Sequence, residues 1–387
     1  MHNTIPYNPT ILKWARERIN YTEEDIAKKF SKSVEDIQSW EKGESSPTYL
    51  QLERLAYEIY KKPLAVFFFP APPTHVNINK SFRTIAEYEF LELEPKFKLL
   101  IDKAFSYQLN IKDLTNNINP STGFILNNLS FNHKDSTLDM VESLRNFLDI
   151  SINEQKDWKS TTKALESWTN KLEEVGIFVF KEAFKNENYS GFCLYDDNIP
   201  IIYINNSKSK SRQIFTLFHE LAHLLFNTSG IDSKNYFDYF QGPEEIIERH
   251  CNQFAGEFLI PTSSFEKDIQ NLKINDNTFN NLAKNYSVSK EAILRKYLNL
   301  KLVSTKYYEE KRQQWNHEYL ELKKIRKQTG GPKPYHKANT YLSNTYKDLV
   351  IQNYLNNNLS IEQASNLFNI KSKYFKPLIQ YYLGKEI

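Results

Sequence analysis

The sequence predicts an α+β protein, mainly α-helical, with an N-terminal helix-turn-helix bundle, a central core on a small antiparallel sheet, and a C-terminal helical region. Three observations carry this expectation. Apolar residues recur at helical spacing through most of the chain. Only 10 glycines interrupt its 387 residues. Three short β-type runs stand together just before a strongly apolar helix, FTLFHELAHLLF, Phe215 to Phe226.

The opening segment, 1–72, reads as consecutive short helices. Asn8-Pro9-Thr10 can start one through Ile11, Leu12, Ala15 and Ile19. Thr22 to Asp25 has the form of a capping box, with acids in the first turn, ahead of Ile26, Ala27 and Phe30. Ser33 suits the cap of a third helix through Val34, Ile37 and Trp40, which Gly43 stops, and a fourth runs from Thr48 to Tyr60. Two helices parted only by Ser31 to Ser33 make a helix-turn-helix pattern.

Pro70, Pro72 and Pro73 mark a boundary. The stretch 73–170 is again helical in pattern, broken at Asn116 to Ser121 and Asn127 to Asp135. In 171–300, GIFVF, GFCLY and PIIYIN are the β-type runs. Asp196-Asp197-Asn198 between the last two predicts an antiparallel hairpin. A second helix follows Gly242-Pro243, and Asn281 to Leu300 reads as two helices around Ser-Val-Ser. In 301–387 a basic stretch from Lys311 to Lys337, broken by Gly330-Gly331-Pro332, precedes helices at Tyr346 to Leu355 and Ile361 to Phe368. The sequence shows no repeat of fixed period.

The net charge of +3 is too small to imply nucleic-acid or membrane binding by itself. Its distribution says more: residues 1–72 are balanced, 73–300 slightly acidic, and 301–387 hold 15 Lys/Arg against 7 Asp/Glu. Two cysteines, Cys193 and Cys251, make no disulfide framework and lack zinc-finger spacing. With no basic-then-apolar leader and no apolar run of bilayer length, a reducing cytoplasm is the expected setting.

The chemistry concentrates in His219-Glu220-Leu221-Ala222-His223, an HExxH motif. Residues four apart on a helix share one face, so both imidazoles can reach a single metal ion, at about 2.0–2.1 Å for zinc. Glu220, turned by about 100°, suits a base better than a ligand. Two histidines and a glutamate within so apolar a helix are costly unless paired or metal-bound. A third protein ligand is needed, and Asp232, Asp238, Glu244, Glu245, Glu248 and His250 all lie downstream. On the wheel of GPEEIIERHCNQFAGEFLIP, Glu248 borders the buried side formed by Ile247, Cys251, Phe254, Ala255, Phe258 and Leu259, whereas His250 lies nearly opposite. Periodicity favours Glu248 only modestly, and Asp232 is a rival.

FTLFHELAHLLF followed by IERHCNQFAGEFLIP resembles the ImmA/IrrE-type metallopeptidases. Their second signature is an acid before Asn-x-Phe-Ala and a closing Leu-x-Pro. Asn252, Phe254, Ala255 and Pro261 match it, and Cys251 replaces a usual Ala. The segment from Trp40 to Pro73 is similar to the Xre-type helix-turn-helix fused ahead of such peptidases, and SFRT (Ser81 to Thr84) also matches the fused subgroup. The resemblance implies a zincin-like peptidase core with Zn2+ on His219, His223 and Glu248. Metal-assisted peptide hydrolysis would follow, with Glu220 taking a proton from water and passing it to the leaving amine. PIIYIN is expected at the cleft edge, where an extended substrate adds as a strand.

Family members of the simple type cleave a helix-turn-helix repressor, so a regulator or repressor is the expected protein substrate. Some fused relatives are encoded beside a PIN-nuclease toxin. That implies an alternative, a DNA- or toxin-binding antitoxin-like regulator whose zinc site is structural or rarely active. Lys32, Ser33, Gln38, Ser39 and Lys42 are the candidate DNA contacts of the N-terminal module. Glu35 and Asp36, however, sit where phosphates approach, and the module has no net positive charge to neutralise them.

Overall fold

The computed structural model describes residues 6–60, 62, 64–72, 94–132, 134–184, 188–233, 243–325 and 340–382. SFRT and the basic stretch from Arg326 to Lys337 lie outside them. The chain divides into two compact units, Met1–Tyr107 and Gln108–Ile387.

In the first unit, α1 (Pro9–Arg18), α2 (Glu23–Phe30), α3 (Val34–Lys42) and α4 (Tyr49–Arg54) follow the pattern of caps. Asn8 caps α1, and Thr22 with Asp25 and Ser33 with Asp36 form reciprocal capping boxes on α2 and α3. Ser31 turns the chain at φ 52 between α2 and α3, and Gly43 ends α3 at φ 76. Thr48 caps α4, whose last turn widens into a π-helix at Leu55–Ile59. Ile11, Leu12, Ala15, Ile26, Ile37, Trp40, Leu52 and Leu55 form the buried core.

Further helices are α5 (Pro95–Thr115), α6 (Thr137–Leu148), α7 (Ile152–Asp157) and α8 (Thr161–Glu174). Then come β1 (Phe178–Glu182), β2 (Tyr189–Leu194), β3 (Ile201–Asn205), α9 (Lys210–Leu225) and β4 (Ile231–Ser233). The chain continues with α10 (Pro243–Leu259), α11 (Thr262–Asp268), α12 (Asp276–Tyr286) and α13 (Lys290–Asn299). It ends with α14 (Thr305–Ile325), α15 (Asn344–Leu355), α16 (Ile361–Leu367) and α17 (Phe375–Tyr382). No described helix is long and apolar enough to cross a membrane.

The sheet corrects two expectations. Its order is β1-β3-β2-β4, and although β2 pairs antiparallel with β3 and β4, β1 runs parallel to β3, so the sheet is mixed. Each short connection reverses the chain, which gives β1 and β3 one direction; β3 then enters between β1 and β2 instead of extending a meander. PIIYIN is therefore an inner strand, buried along its length and paired on both sides. An extended substrate cannot add to it; among the described residues the outer strands are β1 and β4.

The two faces of the sheet differ. Val179, Cys193, Ile202 and Ile204 join the core beneath α9. Phe180, Phe192 and Tyr203 form an aromatic layer, with the Phe192 and Tyr203 rings 5.2 Å apart and parallel. Tyr346 of α15 adds to that layer, 5.6 Å from Phe180. Under the other face, Trp168 meets Phe218 of α9 at 4.8 Å and Phe258 of α10 at 5.3 Å, and Phe218 and Phe258 stack at 4.3 Å. Each such pair adds about 0.5–1.5 kcal/mol beyond its area burial, so α8 holds α9 and α10 in fixed register.

Candidate metal centre

Helix α9 starts at Ser209, whose hydroxyl accepts from Arg212 N. It is buried almost continuously from Gln213 to Leu225, because sheet, α8 and α10 surround it. His219 and His223 leave the same face, one turn apart, with their Nε2 atoms 3.2 Å from each other. Glu248 of α10 meets both: Oε1 lies 3.0 Å from His223 Nε2 and Oε2 lies 3.3 Å from His219 Nε2. Among the described residues, this is the group of His, Cys, Asp and Glu side chains able to hold a metal ion.

The spacing fits such an ion. Tetrahedral bonds of about 2.0–2.1 Å place neighbouring ligand atoms about 3.3–3.4 Å apart. Burial works to raise the Glu248 carboxyl, but the charge and hydrogen bonds of His223 and His219 outweigh it and hold the group well below the usual carboxylate range. A cation taking the place of those imidazole protons would meet the same ionised carboxylate. Burial also pushes the Cys193 and Cys251 thiols up, so neither offers a thiolate.

Neighbours that the motif did not reveal orient the imidazoles. Thr228 Oγ1 lies 3.0 Å from the His223 carbonyl oxygen, to which it donates, and 3.3 Å from His223 Nδ1. With its proton committed to the carbonyl, the hydroxyl can accept from Nδ1–H, in the tautomer whose Nε2 lone pair would meet a bound ion. Gly230 lies against the His223 ring: a Cβ there would sit 2.7 Å from Nε2. Gly191 of β2 similarly lets α9 approach, since a Cβ would fall 2.5 Å from Thr216 Cγ2 and 3.7 Å from Glu220 Oε1. Phe215 stacks on His219 at 6.3 Å. In sequence, Thr-Ser-Gly after the helix reads only as a stop signal.

Other candidates fall elsewhere. His250 Nδ1 lies 2.7 Å from Ile246 O, a contact within its own helix. Asp238 and the side chains of Asp232, Glu244 and Glu245 lie outside the described residues. Asn252 donates to the Glu248 carbonyl at 2.9 Å. In the N-terminal module, Gln38 and Lys42 are exposed on α3. Ser33 is occupied as the cap, Ser39 bonds to Ser45, and Lys32 lies 3.9 Å from Asp36.

Residues 172–297 match a peptidase family described as the IrrE N-terminal-like domain, which marks a metallopeptidase-type enzyme. Residues 12–56 match a helix-turn-helix family. No curated protein matches the chain.

Proposed function

From a chain that joins a helix-turn-helix to an IrrE N-terminal-like domain, we propose a regulatory, cytoplasmic zinc metalloendopeptidase that hydrolyses a peptide bond in a partner protein, a transcriptional repressor or similar regulator. The observation that carries this reading is the convergence of His219, His223 and Glu248 to 3.0–3.3 Å beside a buried Glu220. The same reading assigns 1–72 to the helix-turn-helix, 73–170 to a helical extension, 171–300 to the peptidase core and 301–387 to a basic helical region.

A zinc ion bound there would supply Lewis-acid polarisation to a carbonyl and to water. The protein does the rest. His219, His223 and Glu248 hold the ion, and Thr228 keeps a lone pair of His223 directed at it. Glu220, next to His219 but turned by about 100°, accepts a proton from water and returns it to the departing amine. Its apolar surroundings strengthen each charge interaction there.

Purified wild type and Glu220→Gln, incubated with a library of proteome-derived peptides, test the reading. The wild type should create new peptide termini, the variant should lose about 10²–10⁴ in rate, and both should hold one zinc per chain. A wild type that holds zinc yet cuts nothing under any activating condition supports a second reading, favoured by the closure of the site. His219 is 2% exposed, His223 1% and Glu220 0%. In that reading zinc braces the fold, and the chain is a DNA- or toxin-binding regulator.

A further inference from the structure

We propose that Asn344–Tyr382 is a second helix-turn-helix and that its last segment, Lys371 to Tyr382, is a binding surface for double-stranded DNA. Although the sequence shows no repeat, the structural landmarks of the N-terminal module recur here at one constant interval. Thr22 and Ser360 are both caps with a reciprocal capping box. Ile26 and Ala364 are buried one turn on, followed by Ala27 and Ser365. Ser31 and Asn369 are the left-handed residues of the turn, at φ 52 and φ 54. The same backbone bond closes each turn, Lys32 N to Ala27 O at 3.0 Å and Ile370 N to Ser365 O at 3.1 Å. Ile37 and Phe375, then Trp40 and Leu378, are the buried anchors of the following helix. Leu12 and Val350 hold matching core positions in the preceding helix. The residue identities differ at almost every pair, so the repetition is one of geometry.

Charge separates the two copies. The second helix of a helix-turn-helix is the one that enters the major groove. In the N-terminal copy that helix opens with Glu35 and Asp36, which repel phosphates. In the C-terminal copy Lys371, Lys373 and Lys376 are exposed, and no acid occurs from Lys371 to Tyr382. Lys373, Lys376 and Gln380 recur at helical spacing, offset from the buried stripe of Phe375 and Leu378. Affinity for duplex DNA comes mainly from phosphate neutralisation. The copy built to supply it is the C-terminal one.

The test is fluorescence anisotropy of the full chain with a labelled mixed-sequence duplex of about 25 base pairs, across about 50–200 mM salt. Each neutralised phosphate contributes about 0.9 to the slope of log affinity against log salt, so three lysines contribute about 2.7, or about 40-fold over that range. The triple change Lys371→Ala, Lys373→Ala and Lys376→Ala should weaken binding at least about tenfold and remove that part of the slope. The matching Lys→Arg triple should retain binding, which separates lost charge from lost fold. The pair Lys32→Ala and Lys42→Ala should leave affinity nearly unchanged. The proposal is overturned if the alanine triple binds like wild type or if the N-terminal pair alone abolishes binding. It is equally overturned if the chain fails to bind duplex at the lowest salt, including the case where the triple instead releases a protein partner.

Discussion

Thr228 lies five residues after His223 and touches it twice, at the carbonyl and at Nδ1. Replacing it with Val preserves the shape but leaves Nδ1–H without its acceptor, and the Nε2 lone pair is no longer held toward a metal ion at the cluster. Losses of this kind usually cost about 10–100-fold in metal affinity. Competition with a chromophoric chelator should show that weakening in Thr228→Val, and an unchanged affinity would remove Thr228 from the site. Legibility at this scale followed covalent spacing. His219, Glu220 and His223 lie on one helix, and their mutual placement is set by its pitch. Glu248 comes from another helix, so periodicity could rank it against Asp232 but could not choose. Its approach to within 3.3 Å depends on how α10 packs over α9. Thr228 and Gly230 were illegible because their role lies in the return of a loop onto a ring, which no sequence period records.

Elements in the N-terminal unit hold together through a buried ion pair as well as through apolar packing. Arg16 of α1 donates to both oxygens of Glu41 on α3, at 2.6 and 2.8 Å, and also to Glu23 at 2.9 Å and the Tyr21 carbonyl at 2.9 Å. The Arg16 and Glu41 side chains are only 7% and 5% exposed. Glu41→Ala would leave a guanidinium buried without its main partner, a change that costs about 3–5 kcal/mol. Calorimetry should show an N-terminal unfolding transition lowered accordingly. A shift no larger than that of an exposed change such as Glu44→Ala would refute the role. The helix boundaries themselves were readable, because caps are local: Thr22, Ser33, Thr48 and Gly43 act within four residues of where they stand. The sheet was less so. The β2–β3 hairpin announced itself through Asp196-Asp197-Asn198, whereas the parallel pairing of β1 with β3 depends on the route of the chain. The three residues of β4 are too few to show an alternation.

Across the larger unit, a buried carboxyl ties the C-terminal helices to α8. Glu173 of α8 accepts from the backbone of Asn344 at 3.2 Å and of Thr345 at 3.1 Å, so a side chain distant in sequence caps the first turn of α15. Burial pushes the Glu173 carboxyl up to about 7, against the lowering effect of the Thr345 amide, the Ser343 side chain, Lys347 and Lys181. Burial likewise pulls Lys181 and Lys347 down to about 8. The signs then follow from proton linkage. Between the ordinary carboxylate value and about 7, the folded protein holds a proton on Glu173 that the unfolded chain has released, so stability falls as pH rises through that window. Between about 8 and the ordinary lysine value the unfolded chain holds the extra protons, so stability rises with pH. The anchorage of α15 should therefore be weakest between about 7 and 8, where all three groups are charged in a space that excludes water. Glu173→Gln removes the first titration but keeps the shape. Denaturant unfolding across the acidic window should give a falling stability in wild type and a flatter curve in the variant. Two parallel curves would mean that Glu173 stays ionised and that the amides and lysines, rather than burial, govern the joint.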